Sequence, residues 1–125
     1  MKKIIALLLL TVITHNKGLL HASEIKAHDN NGNDIGSIKF GRCKIEELYV
    51  APGMRQRGIG SMLFHQAIYT MSHCEKIQWY SFTSAIDFYV KQGATLENNN
   101  LMSITPAKAQ ANRSAKPKYV ISTTE

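Results

Sequence analysis

The stretch Val50-Ala51-Pro52-Gly53-Met54-Arg55-Gln56-Arg57-Gly58-Ile59-Gly60-Ser61 decides how this 125-residue chain is read. Before it, Ile45-Glu46-Glu47-Leu48-Tyr49-Val50 is an alternating apolar run that reads as a strand. After it, Ser61 to His73 reads as a long amphipathic helix. A strand that ends in a proline turn, then two basic residues, then Gly-x-Gly at a helix start is suited to a polyphosphate. Glycines let the backbone approach a ligand closely, and the first turn of a helix has N–H groups without partners. The positive end of the helix dipole attracts the same charge. Arg55 and Arg57 can add ionic hydrogen bonds.

Two generic phosphate motifs do not fit. The stretch lacks the Gly-x-x-x-x-Gly-Lys-Ser/Thr of a P-loop. It also lacks the third glycine and the later acidic residue of a dinucleotide fingerprint. What it resembles is the acetyl-CoA signature of the GNAT superfamily of N-acetyltransferases, Arg/Gln-x-x-Gly-x-Gly/Ala. Here that reads Arg55-Gln56-Arg57-Gly58-Ile59-Gly60, preceded by a Leu-Tyr-Val-x-Pro strand end from Leu48 to Pro52. A second resemblance lies downstream. Ala85-Ile86-Asp87-Phe88-Tyr89-Val90-Lys91-Gln92-Gly93-Ala94 is similar to the family's Ala-x-x-Phe-Tyr-x-x-x-Gly-Phe segment.

The chain is long enough for one small domain. Met1-Lys2-Lys3, the uncharged run Ile4 to Ile13 and the small residues after Leu20 follow the layout of a secretory signal peptide. The expected division is therefore a signal peptide over 1–23, a GNAT-like acetyl-CoA-binding domain over 24–105, and a flexible tail or edge strand over 106–125. The expected location is periplasmic or secreted, or cytoplasmic if residues 1–23 are part of the fold. The apolar run is too short for a confident membrane helix, so no stable span is expected once the signal is cleaved. Loss of Lys2, Lys3 and Lys17 leaves twelve basic residues facing nine acidic ones. A balance so near neutral gives no support to a nucleic-acid partner.

Within 24–105 the pattern predicts strands at Glu24–His28, Ile35–Phe40, Lys44–Val50 and Lys76–Phe82, with a turn containing Asn31-Gly32 between the first two. Helices are expected from Gly58 to about His73 and from about Ser84 to Gln92. Thr83 or Ser84 would cap the second, and Gly93 would stop it. Leu96–Glu97 and Leu101–Thr105 are candidate strands, Pro106–Pro117 reads as a flexible link, and Tyr119–Ser122 as an edge strand or frayed tail. The fold class is α/β with α+β character: a GNAT-type mixed, mostly antiparallel sheet flanked by two helices.

The resemblance implies a function and a set of residues. It implies acetyl-CoA as cosubstrate and direct attack of an amine on its thioester, with no metal. The cofactor would be held by Leu48, Tyr49 and Val50 along its pantetheine arm, and by Arg55, Gln56, Arg57, Gly58, Ile59, Gly60 and Ser61 at its pyrophosphate. A backbone N–H near Leu48 or Tyr49 would polarise the acetyl oxygen. Tyr89 matches a family tyrosine that commonly protonates the departing thiolate, although Phe88 and Tyr89 also suit a core. Glu46 and Glu47 are the candidate bases, placed by strand alternation on opposite faces, with solvated carboxylates as the alternative. The partner is a small-molecule or peptide amine, with a homodimer left open. A degenerate domain that binds acetyl-CoA or a partner without catalysis is the alternative, because the family's two N-terminal acceptor-binding helices have no counterpart here. Cys43 and Cys74 read either as free thiols or as a disulfide at one end of the strand–helix unit. The five histidines form no cluster in the sequence.

Overall fold

The computed structural model describes residues 9–17, 20–55, 57–114 and 122–123. Eight strands form one mixed sheet: β1 Leu9–Lys17, β2 Leu20–His28, β3 Asp34–Gly41, β4 Lys44–Val50, β5 Ile77–Tyr80, β6 Thr95–Asn98, β7 Leu101–Ile104 and β8 Ser122–Thr123. Their order across the sheet is β6-β7-β5-β4-β3-β2-β1-β8. Only the β4–β5 and β1–β8 pairs are parallel; the others are antiparallel. Among the described residues three helices accompany the sheet: α1 Ile59–Thr70, α2 Ile86–Lys91 and α3 Pro106–Ser114.

The β1–β4 meander follows from short turns between alternating runs. Asp29 shapes the β2–β3 turn by accepting the N–H groups of Asn31 and Asn33 at 2.9 Å each, the Asx geometry that Asp supplies readily. Those bonds hold the Asp29 carboxyl below its ordinary pKa. The β3–β4 turn places Arg42 and Cys43 at φ 52° and 59°, matching the primed turn that suits strand twist.

α1 lies on this sheet through an apolar face. Ile59, Met62, Leu63, Ala67 and Ile68 are buried with Ile25, Ile38 and Phe40 of β2 and β3. Each large side chain so buried contributes roughly 1.5–3 kcal/mol. Phe64 and His65 are buried as well, because α1 is also covered on a second side. Phe64 packs on Trp79 of β5 and Tyr89 of α2, with ring centroids 5.5 and 5.7 Å apart.

Several expectations are corrected. Two helices were expected, and a third, α3, occupies the stretch read as a flexible link. Thr105 Oγ1 accepts the Lys108 N–H at 3.2 Å, Pro106 takes the first helical position, and Ala109 is 2% exposed. A capping Thr followed by Pro is a local helix-start signal. Thr83 and Ser84 do not cap α2. They lie in a 3₁₀ turn over Thr83–Ala85 that leads into it, and Thr83 Oγ1 accepts from Asn100 Nδ2 at 3.2 Å. α1 ends at Thr70 rather than near His73, so Met71–Cys74 forms a turn back toward β5.

The N-terminal segment has a described backbone from Leu9. Residues of β1 pair with β2 in continuous register from Leu9–His28 to Lys17–Leu20. β2 thus begins four residues before the expected Glu24. Only residues 18 and 19 separate β1 from β2, so no helix stands between these two strands.

Cys43 and Cys74 form a disulfide, with Cα atoms 5.8 Å apart. A sheet strand and the helix packed on it lie too far apart for such a bond. Here Cys43 sits in the β3–β4 turn and Cys74 in the turn after α1, which brings the two close.

Candidate active site

β4 and β5 meet at a single register pair, Lys44 with Gln78, beside the Gln78 N–H that donates to the Cys43 carbonyl at 3.2 Å. Beyond this point β4 departs from regular pairing. Lys39 faces Glu47 and Phe40 faces Ile45, which leaves Glu46 as an extra residue in β4. Such a bulge bends its strand and strengthens its twist. A slot of about 600 Å³ opens there between Leu48 and Tyr49 on β4 and Trp79 to Phe82 on and after β5, with Ala85 and Tyr89 also lining it.

Glu46 and Glu47, the two candidate bases, are both exposed and both line the slot. Lys39 Nζ lies 3.6 Å from Glu47 Oε1, with both side chains more than half exposed. A pair so solvated contributes little to stability. Tyr49 is 45% exposed, and Leu48 and Val50 are half-buried.

β4 leads from the slot into the glycine loop. Gly58, at φ 81° and ψ 2°, precedes the first turn of α1. This left-handed conformation costs other L-residues about 1–2 kcal/mol. The Met62 N–H donates to the Gly58 carbonyl at 3.0 Å, so the N–H groups of Ile59, Gly60 and Ser61 precede the first intrahelical bond. Arg55 and Arg57 are exposed. Arg55 Nε donates to the Val50 carbonyl at 3.2 Å, which ties the guanidinium to the strand end with one of its five N–H donors. Gln56 lies outside the described residues.

Ser61 has a different environment from the rest of the loop. Its Oγ donates to Gln92 Oε1 at 2.7 Å, and His65 Nε2 lies 3.1 Å from the same oxygen. Gln92 is only 4% exposed. The Ser61 hydroxyl thus ties the start of α1 to the end of α2. The two sequence motifs meet at this junction. A Cβ on Gly60 would sit 3.4 Å from the Phe88 ring and 3.4 Å from Val50 Cγ2, so α2 braces the first turn of α1.

Tyr89 belongs to both core and slot. Its ring lies 5.1 Å from the Trp79 centroid and 5.1 Å from that of Phe88. Burial pushes its phenol up to a pKa of about 12, because the phenolate loses its hydration. The phenol is thus a neutral O–H donor at physiological pH. Trp79 Nε1 is buried and has no hydrogen-bond partner among the described residues. Trp79 lines the slot, and an orphaned buried donor is uncommon unless a ligand or water serves it.

Three contributors escape sequence reasoning. Asn100, in the turn between β6 and β7, donates through Nδ2 to the Ser81 carbonyl at 2.7 Å and fixes the β5–α2 loop that carries Phe82. Gln92 and Trp79 complete the set. The hydrogen-bond partners of Asn100 and Gln92 lie many residues away, and the place of Trp79 beside the slot depends on packing, so neither residue type nor spacing signals them.

The family described as "Acetyltransferase (GNAT) domain" matches residues 12–93. Among curated proteins none matches. A GNAT-family acetyltransferase structure from Staphylococcus aureus Mu50 is similar at 20% identity with a TM-score of 0.55, covering 66% of each chain. The spermidine N-acetyltransferase of Vibrio cholerae, solved with CoA and spermine, is similar at 18% identity with a TM-score of 0.58, covering 71% of this chain and 68% of that one. The chain thus spans about two thirds of the length of these solved structures.

Proposed function

Because the chain belongs to the GNAT family of acetyltransferases, we propose that it moves an acetyl group from acetyl-CoA to an amine by direct attack. The observation that supports this most is the continuity of β4. Its bulged segment walls the slot, and its end holds Arg55 and faces Gly60. A ligand with an extended arm and a pyrophosphate matches that path. Acetyl-CoA would supply the thioester and the leaving thiolate. The N–H groups at the start of α1, with Arg55 and Arg57, would bind the pyrophosphate. Leu48, Tyr49 and Val50 would pair with the arm through their backbone. The buried Tyr89 phenol would hold the proton that the thiolate takes. Glu46 or Glu47, at the edge of the slot, would receive the ammonium proton through water.

Isothermal titration of the full chain with acetyl-CoA tests the reading. Arg55→Ala is expected to weaken binding tenfold or more, in line with about 1.5–3 kcal/mol for a hydrogen bond to a charged group. Gly58→Asp, with a strained backbone and a like charge, is expected to abolish it. Failure of the unmodified protein to bind at millimolar acetyl-CoA would sink the proposal.

A second reading, cofactor binding without catalysis, is favoured by the direct β1–β2 connection, which leaves no acceptor-wall helices there. Binding without acetyl transfer to any of a panel of amines would decide for it. The Vibrio relative is a spermidine acetyltransferase, so polyamines head that panel, followed by amino sugars, aminoglycosides and peptide N-termini.

Export through residues 1–23 is part of the same proposal, with cytoplasmic retention as its alternative. The disulfide supports an oxidising compartment. The β1–β2 register and a family match that starts at residue 12 support keeping the segment in the fold. The intact mass of the protein recovered from cells separates the two.

A further inference from the structure

Three side chains that the acyl-transfer site does not use lie together where β4 and β5 join. Cys43, His73 and Cys74 each offer a ligand atom, all within 4.8 Å of one another. His73 Nε2 lies 3.7 Å from Cys74 Sγ, and the cysteine Cα atoms are 5.8 Å apart. Tetrahedral zinc, with Zn–S of about 2.3 Å and Zn–N of about 2.0–2.1 Å, holds two sulfurs roughly 3.8 Å apart and a nitrogen and a sulfur roughly 3.6 Å apart. The His73–Cys74 separation already matches the second value. Release of the S–S bond would let the sulfurs part to the first with little movement of the backbone.

We propose that in the reduced protein Cys43, Cys74 and His73 bind a zinc-class d10 cation. A dithiol reductant gives two electrons and two protons to the S–S bond and is itself oxidised to a disulfide. The cation then displaces the two thiol protons. Two thiolates balance its double charge, the imidazole is the third ligand, and water takes the fourth position. Thiolates select such soft ions over magnesium or calcium. Cys74 is buried, Cys43 half-buried and His73 exposed, so an ion has a route in from solvent.

The position gives the site its consequence. The Cys43 carbonyl and the Lys44–Gln78 pair form the point from which the slot opens. A disulfide in an oxidising compartment and an ion in a reducing one would tie the same two turns together. The inference is independent of acetyl transfer.

The test uses the full chain, reduced with dithiothreitol and desalted under nitrogen, then titrated with Co²⁺. One equivalent is expected to give the thiolate charge-transfer band and visible bands of a tetrahedral ion, both erased by one equivalent of Zn²⁺. The oxidised protein should give neither. Cys43→Ser is expected to lose the tetrahedral spectrum. His73→Ala, which keeps both cysteines and hence the disulfide for folding, should weaken Zn²⁺ binding at least tenfold while two thiols still react. A reduced protein with no thiolate–cobalt band, equal binding by the oxidised form, or unchanged affinity in His73→Ala would each overturn the proposal.

Discussion

Gly36→Ala tests how closely α1 must approach the sheet. Gly36 pairs with Ala27 of β2 and Val50 of β4. A Cβ there would sit 3.0 Å from the Tyr49 carbonyl oxygen, 3.1 Å from Leu63 Cδ1 and 3.2 Å from Ile59 Cγ2. The two side chains can yield by a few tenths of an ångström. The backbone oxygen of β4 has far less freedom, so the strain falls on β4 and the first turn of α1 together. Overpacking of this kind costs about 1–3 kcal/mol. At roughly 4 °C per kcal/mol for a domain of this size, the midpoint should fall by about 4–12 °C. Acetyl-CoA affinity should fall in parallel, because Tyr49 and Ile59 both belong to the proposed site. Differential scanning calorimetry and isothermal titration provide the two readouts. Ser37→Ala, one residue along and half-exposed, should stay within about 0.5 kcal/mol of the parent. A Gly36→Ala protein with unchanged midpoint and affinity would refute the packing argument.

Further outcomes follow from the core and the disulfide. Cys43→Ala with Cys74→Ala removes a cross-link over 31 residues of sequence separation. Chain entropy assigns it about 4 kcal/mol, so urea unfolding should show a loss of that order, and a loss below about 1 kcal/mol would contradict the estimate. Tyr89, raised from 10.0 to about 12, stays protonated where the unfolded chain has already ionised. Its effect on stability is therefore absent below pH 10 and grows as a loss from pH 10 to 12, reaching roughly 3 kcal/mol. Tyr89→Phe should abolish that alkaline loss in pH-resolved unfolding, and it should lower acetyl transfer by about 10²-fold or more if the phenol is the acid. Gln92→Leu leaves His65 and Ser61 without their shared acceptor and should cost about 1–3 kcal/mol by thermal melting; a neutral result would mean that water replaces the amide.

The strand, the glycine loop and the start of α1 were legible because each is set by neighbours in the chain. Pro52 and Gly53 turn the strand, Gly58 supplies a left-handed backbone, and the apolar spacing after it makes a helix. The Phe88-Tyr89 segment was legible for the same reason. α3 was missed because Thr105-Pro106 is a short signal in a polar stretch, and the burial of Ala109 that completes the helix's docking is a tertiary contact. The bulge at Glu46 was not legible, because it depends on the register of β4 with β3 and not on the pattern along β4 alone. The Ser61–Gln92–His65 cluster and the Asn100 tether were invisible because their members are brought together only by packing.

The sequence by itself determined a segment suited to an anion, since close backbone approach, helix dipole and adjacent arginines all arise within a dozen residues. Only the tertiary structure decided where β4 and β5 part, what braces the helix start, and that Cys43, Cys74 and His73 meet. Those features depend on strand register and on contacts between residues far apart in the chain, and free energy of packing, not local preference, selects them.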